Sequence, residues 1–153
     1  MRKTIAVVAV SAAAFLVPVA AGAKDEGKHH GGGKAHLVAA GDLKWADDAE
    51  HPGVQVAPVS GDPAKGAAKM FIKLPANFSV PLHHHTADHW GVVVSGTMVF
   101  NVDGQDQTLP AGSFFGYAGK KQHTTKCTDA AGCLIFVDAH GKWDLLPEKT
   151  ASK

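Results

Sequence analysis

The chain has 153 residues, with 15 Lys and Arg against 14 Asp and Glu, and a formal net charge of +1. A charge so close to balance gives no basis for binding nucleic acid or an acidic membrane surface. The length allows one domain with a sizeable core.

The N-terminus has the pattern of a secretory signal peptide. Arg2 and Lys3 precede an apolar run over residues 5–19, and Ala21-Gly22-Ala23 forms a small-x-small cleavage site. A membrane anchor is the alternative, but the run is short beside the roughly 20 residues that a bilayer span needs. We expect residues 1–23 to be removed and the mature chain to be secreted or periplasmic, without a membrane contact after cleavage.

The mature chain divides by composition into a leader, one domain and a tail. Residues 24–40 begin with a stretch rich in Gly, Lys and His, which predicts a flexible leader; residues 41–147 form the domain and 148–153 a tail. Strand-like segments punctuated by turn residues predict an all-β antiparallel sandwich or barrel. The predicted strands are 54–60, 69–74, 79–85, 91–95, 97–102, 105–109, 113–117, 123–126 and 133–138.

Four histidines occur within seven residues at 83–85 and 89. Side chains alternate along a strand, so His83 and His85 face one way and His84 the other. If the extended parity continues through the following bend, His89 joins the first pair, and the three imidazoles can converge on a metal ion. A surface histidine run is the alternative, but the apolar segments 92–94 and 98–100 indicate a folded core around the cluster.

Cys127 and Cys133 are the only two cysteines. Turn-forming residues separate them, and an oxidising compartment preserves disulfides, so we expect these two residues to bridge neighbouring strands. A zinc pair or a catalytic thiol is the competing interpretation. Five intervening residues and the lack of further cysteines in the sequence fit it poorly.

The histidine segment resembles the first motif of the cupin superfamily, which runs Gly, five residues, His-x-His, three or four residues, Glu, six residues, Gly. Asn77 stands at the first Gly position, and His83 and His85 follow at the required spacing. His89 takes the Glu position and Gly96 closes the motif. Asn in place of Gly is physically mild, because Asn tolerates positive φ better than most residues.

The second cupin motif is matched more by spacing than by identity. Gly112 aligns with its Gly and His123 with its His, while Ala118, Lys120 and Cys127 occupy the Pro, Gly and Asn positions. The resemblance implies a cupin-type β-barrel, also described as a double-stranded β-helix or jelly-roll sandwich. It also implies that His123 is a further metal ligand.

A competing register starts the second motif at Gly104, which puts Phe115 at the ligand position. Phenylalanine cannot bind a metal, so the register from Gly112 is preferred. Three short segments resemble those of cupins related to the anti-sigma factor ChrR. They are Trp45, residues 52–55 and residues 142–144. The metal ligands implied by the preferred register are His83, His85, His89 and His123.

An all-histidine ligand set departs from the usual cupin set, which includes a carboxylate. Neutral imidazoles suit Zn, Fe, Cu or Ni better than Mg or Ca. Four histidines on a tetrahedral ion would make a closed structural site, whereas a larger coordination number leaves a position for substrate or O₂. The sequence leaves both arrangements open.

The other functional candidates surround this cluster. We expect Trp90, Phe115, Tyr117 and Phe136 to line a pocket, and Asp88 to point away from the metal. The histidines at 36, 51 and 140 are expected in loops or at the surface. Two functions follow: a module that binds one metal or a small ligand, or a metal-dependent dioxygenase-like enzyme acting on a small organic substrate. A homodimer is left open.

Overall fold

A computed structural model describes residues 34–148. The predicted signal peptide, leader residues 24–33 and tail residues 149–153 lie outside this range. Residues 36–148 lie in one compact unit. Its strands are β1 (Ala46–Asp47), β2 (Gln55–Gly61), β3 (Ala68–Leu74), β4 (Ser79–His84), β5 (His89–Ser95), β6 (Thr97–Val102), β7 (Gln105–Pro110), β8 (Phe114–Tyr117), β9 (His123–Cys127), β10 (Cys133–Ala139) and β11 (Leu146–Pro147).

The strands form two antiparallel sheets. The first has the order β1-β2-β3-β10-β5-β8, and the second has the order β11-β4-β9-β6-β7. Consecutive strands β3, β4, β5 and β6 alternate between the sheets, as do β8, β9 and β10. This is a cupin-type jelly-roll sandwich, so the predicted all-β fold class is confirmed.

All nine predicted strands are present, with ends within two residues of the prediction. The two-residue strands β1 and β11 were not predicted, because so short a segment has no periodicity to detect. The only helical segment among residues 34–148 is a 3-10 turn at Ala40–Asp42. No helix in this range has the length and apolarity needed to cross a bilayer.

Positive φ angles occur where the cupin motifs require them. Asn77 has φ 58° and Gly96 has φ 80°. Lys120, which aligns with a motif Gly, has φ 65°, a conformation that costs a residue with a Cβ roughly 1–2 kcal/mol. The backbone thus follows the second motif in the register from Gly112, even where the side chain differs.

The core lies between the two sheets and is closed at one end by a disulfide. Both sheets contribute fully buried side chains to this core: Met70, Val93 and Val137 from the first sheet and Met98 from the second. Cys127 ends β9 in one sheet and Cys133 begins β10 in the other, with an S–S distance of 2.04 Å. The predicted pairing is confirmed, and it joins the two sheets rather than neighbours within one sheet.

Candidate metal centre

Two histidines of the site face each other across a strand pair. His83 on β4 is the register partner of His123 on β9, and their ring centroids lie 4.3 Å apart. The register shifts between Val80 and His83. This bulge lets the side chains of Val80 and His83 both face the barrel interior although the two residues are three positions apart. Pro81 lies within this bulge, where its missing N–H is not needed by the ladder.

His85 completes a triad just beyond the end of β4. One ring nitrogen from each of His83, His85 and His123 lies within 4.8 Å of the other two, and all three residues are buried. This triad could hold a metal ion. Its members come from one strand pair and the segment that follows it, which explains why the sequence spacing detected two of them directly.

His89 approaches the triad from the opposite sheet. It is the first residue of β5, is 3% exposed, and has its ring centroid 4.5 Å from that of His85 and 6.0 Å from that of His123. The chain crosses between sheets over residues 85–88, so His89 does not continue the strand parity of His85. It lies beside the tight cluster rather than within it, and its role as a fourth ligand stays a prediction.

The imidazoles are oriented by main-chain carbonyl groups. The Nδ1 atoms of His83 and His123 lie 2.7 and 2.9 Å from the carbonyl oxygens two residues earlier, Pro81 and Lys121. The Nδ1 of His85 contacts the carbonyl oxygen of Asp144. A carbonyl oxygen can only accept, so each Nδ1 carries the proton and each Nε2 keeps a free lone pair.

Burial keeps these rings neutral. It lowers the pKa of His85 to about 3 and that of His123 to about 4, and it also lowers the pKa values of His83 and His89. Neutral imidazole is the form that binds metal. At neutral pH the triad therefore presents three unprotonated nitrogens without any need to release protons first.

The triad opens onto a cavity of about 620 Å³ inside the barrel. His89 lines the same cavity, and so do Phe115 and Tyr117, which were expected to line a pocket. The ring of Tyr117 stacks on His123, with centroids 4.0 Å apart and planes 10° apart. This contact restrains the plane of the His123 ring, one of the three candidate metal ligands.

Trp90 and Phe136 do not line this cavity, and the expectation for them is wrong. Each follows an inward-facing residue by one position, His89 and Ile135, so the alternation of the strand turns it to the outer face. Trp90 packs there against His140, with ring centroids 4.1 Å apart, and Phe136 packs edge-on against Phe71. Their aromatic character gave no information about which face they occupy.

A histidine–carboxylate pair also lies at the cavity, and sequence reasoning missed it. His51 and Asp48 both line the cavity, and Nδ1 of His51 is 3.2 Å from Oδ1 of Asp48. The same oxygen accepts the backbone N–H groups of Glu50 and His51. The spacing Asp-x-x-His is the only sequence signal for this pair, and it is too common to identify a site.

The remaining candidates lie away from the ligand nitrogens. Asp88 accepts a hydrogen bond from the N–H of Gly119 at 2.6 Å and is exposed. His36 contacts the carbonyl oxygen of Val59. Their roles are local, because each anchors a connecting segment to its neighbour.

A family comparison matches most of the chain. Residues 2–146 match the model of the family described as Domain of unknown function (DUF4437). The chain belongs to the DUF4437 family. No curated protein matches it. Membership of the DUF4437 family therefore assigns no activity to the chain.

Solved structures similar to this DUF4437 chain have the cupin fold. An RmlC-like cupin from Shewanella frigidimarina has a TM-score of 0.57 and 20% identity, covering 70% of this chain and 92% of that one. The polyketide cyclase RemF from Streptomyces resistomycificus has a TM-score of 0.61 and 15% identity, covering 77% and 88%. These likenesses show that the chain has the cupin fold, so the fold that the resemblance implied is confirmed.

The complex of Rhodobacter sphaeroides SigE with the anti-sigma ChrR also matches. Its TM-score is 0.53 at 20% identity, and the match covers 67% of this DUF4437 chain and 51% of that one. An identity this low establishes the shared fold alone. The narrower likeness to the ChrR group stays a prediction from the sequence.

Proposed function

We propose that the mature chain binds one transition-metal ion through His83, His85 and His123, with His89 as a fourth ligand, and presents that ion to a small molecule in the cavity. The observation that carries this proposal is the orientation of the triad. Each Nδ1 is held by a main-chain carbonyl oxygen, so each Nε2 is free to bind the ion.

The donor set favours Zn, Fe, Cu or Ni. Four neutral imidazoles provide no negative charge and no hard oxygen donor, so Mg and Ca should bind weakly. When bound, the metal supplies Lewis-acid or redox chemistry to a molecule beside it. The chain's own residues hold the ion, orient its ligands and enclose the molecule in a largely apolar cavity.

A metal-dependent enzyme, dioxygenase-like in class, is the second candidate. The pair of His51 and Asp48 favours it, because Asp48 can hold the Nδ1–H of His51 and leave Nε2 as a proton acceptor at the cavity. The binding role remains the primary proposal, because it needs only the triad.

Export to the periplasm or the medium completes the proposal. The charged start, apolar run and small-residue cleavage site within residues 2–23 support it, and a disulfide between Cys127 and Cys133 is compatible with an oxidising compartment. N-terminal sequencing of the protein from its native cell should begin at Lys24. A chain that still begins at Met1 and remains in the cytosolic fraction contradicts export.

Metal analysis of the mature, untagged chain tests the central claim. We expect about one transition-metal ion per chain, and we expect His83→Ala and His123→Ala to abolish stoichiometric binding. His140→Ala is the matched control, because His140 packs against Trp90 at the outer face, and its loss should leave metal content unchanged. Full metal retention by folded His83→Ala would refute the ligand assignment.

A further inference from the structure

The inner wall of the cavity is apolar. Apolar strand residues from both sheets line it, including Val56, Ile72, Val80, Phe100, Ile135 and Val137. Its volume, about 620 Å³, is within the range of small-molecule sites. A ligand that fills this space exchanges water for hydrocarbon contacts over most of its surface.

Two hydroxyl groups are the exceptions within this wall. Tyr117 and Thr125 line the cavity, and neither side chain makes a hydrogen bond with the described residues 34–148. Neither hydroxyl carries a charge at neutral pH. The strand walls therefore offer a ligand two neutral polar groups and no cationic side chain.

The charges at the cavity belong to its connecting segments. Asp48, Glu50 and Asp144 contribute three carboxylates, against the single ammonium group of Lys142. The excess of carboxylates lowers the local concentration of polyanions, and Lys142 is the one ammonium group that a second anionic group of a ligand could contact. Sugar acids and small dicarboxylates are therefore poor matches for this cavity.

We propose that the cavity takes an uncharged, mainly apolar molecule that reaches the metal through an oxygen-donor end. This inference rests on the metal site proposed above. The apolar body lies against the strand walls, and the donor end approaches the triad. Tyr117 and Thr125 remain available to a single neutral polar group on the ligand.

The test uses three oxygen chelators that differ in charge and apolar surface. Mature protein is loaded with Co(II), its metal content is measured, and catechol, 4-tert-butylcatechol and oxalate are titrated at one fixed pH while the visible spectrum is followed. Both catechols are uncharged in solution and release protons to the buffer when their oxygens bind Co(II). Affinities are normalised to those for Co(II) in buffer. We expect the tert-butyl group to tighten binding at least about tenfold, because its carbons become buried, and oxalate to bind most weakly.

Matched variants locate the effect. Val56→Phe fills the cavity and should remove the tert-butyl gain, whereas Val92→Phe adds the same ring to an outer-face residue that is 37% exposed and should preserve it. Glu50→Lys should tighten oxalate binding. Asp106→Lys changes net charge equally on β7, away from the cavity lining, and should not.

The outcomes separate this inference from the metal proposal. Absence of bound Co(II) before any chelator is added overturns the metal site. The apolar cavity is then tested in metal-free protein with 2-naphthol fluorescence, which should respond to Val56→Phe and not to Val92→Phe. With Co(II) bound, normalised oxalate affinity equal to or above that of 4-tert-butylcatechol overturns the ligand class.

Discussion

Trp143 stacks on His85, with ring centroids 4.2 Å apart and planes 23° apart. The next residue, Asp144, receives the Nδ1–H of His85 at its carbonyl oxygen, and its carboxylate accepts the N–H and hydroxyl of Thr86. The other two triad histidines use carbonyl groups two residues away. His85 alone depends on a segment 59 residues further along the chain.

Replacing Trp143 should weaken metal binding without removing a ligand. Trp143→Ala frees one face of His85, and loss of such orienting contacts typically lowers metal affinity about tenfold or more. Competition with a chelator of known affinity measures the change. Trp90→Ala is the control, since Trp90 lies on the outer face against His140. Equal affinities in the two variants would contradict a positioning role for Trp143.

The metal-free protein should lose stability as the pH falls below 6.5. The four buried histidines have lowered pKa values in the folded state, whereas the unfolded chain takes up protons near the ordinary value of 6.5. Stability is therefore fully present above pH 6.5 and decreases towards pH 4, by up to about 1.4 kcal/mol per pH unit for each histidine involved.

Urea unfolding of metal-free protein at pH 7.5 and pH 5.0 measures this dependence. His85→Gln should reduce it, because one buried titrating ring is removed. His140→Gln removes an exposed ring and should leave it unchanged. A free energy of unfolding that is the same at both pH values would show that the buried rings are not neutral in the folded state.

His89→Glu tests the fourth ligand. If His89 binds the ion, a carboxylate there should preserve metal binding and shift preference towards harder ions such as Mn, because an oxygen donor replaces an imidazole. Competition between Mn and Zn, followed by metal analysis, measures the shift. An unchanged preference would mean that His89 only packs beside the triad.

Removing the disulfide should lower stability and leave metal content intact. Cys127 and Cys133 close a short loop, so a Cys→Ser double variant should lose about 2–3 kcal/mol of unfolding free energy in the chain-entropy description. The histidines bind through other strand ends, so metal stoichiometry should match that of the unmodified chain. Loss of metal from a folded double variant would contradict this separation.

The strands were predictable because their signals are local. Alternating burial, as in β3 and β10, and turn residues at strand ends both appear within a few positions of sequence. His83 and His85 were found from their spacing, whereas His123 needed the resemblance to the second cupin motif. A motif was required because cross-strand pairing joins residues that are 40 positions apart in the chain.

The remainder of the site depends on contacts that have no local signal. Nothing near Trp143 or Asp144 in the sequence indicates that they contact His85. The orientation of Trp90 and Phe136 depended on which strand face is buried, and both flanking segments are apolar enough to permit either face. His51 was expected in a loop or at the surface, and nothing local in the sequence shows that this loop lines the cavity of the assembled barrel.

The contact between His85 and Asp144 also makes the metal site depend on the C-terminal segment of the domain. A chain cut before residue 144 would keep His83, His85 and His123 and the pairing of β4 with β9, but it would lack the carbonyl oxygen that holds His85. Proteolysis between residues 128 and 143 should therefore lower metal affinity although every ligand is still present.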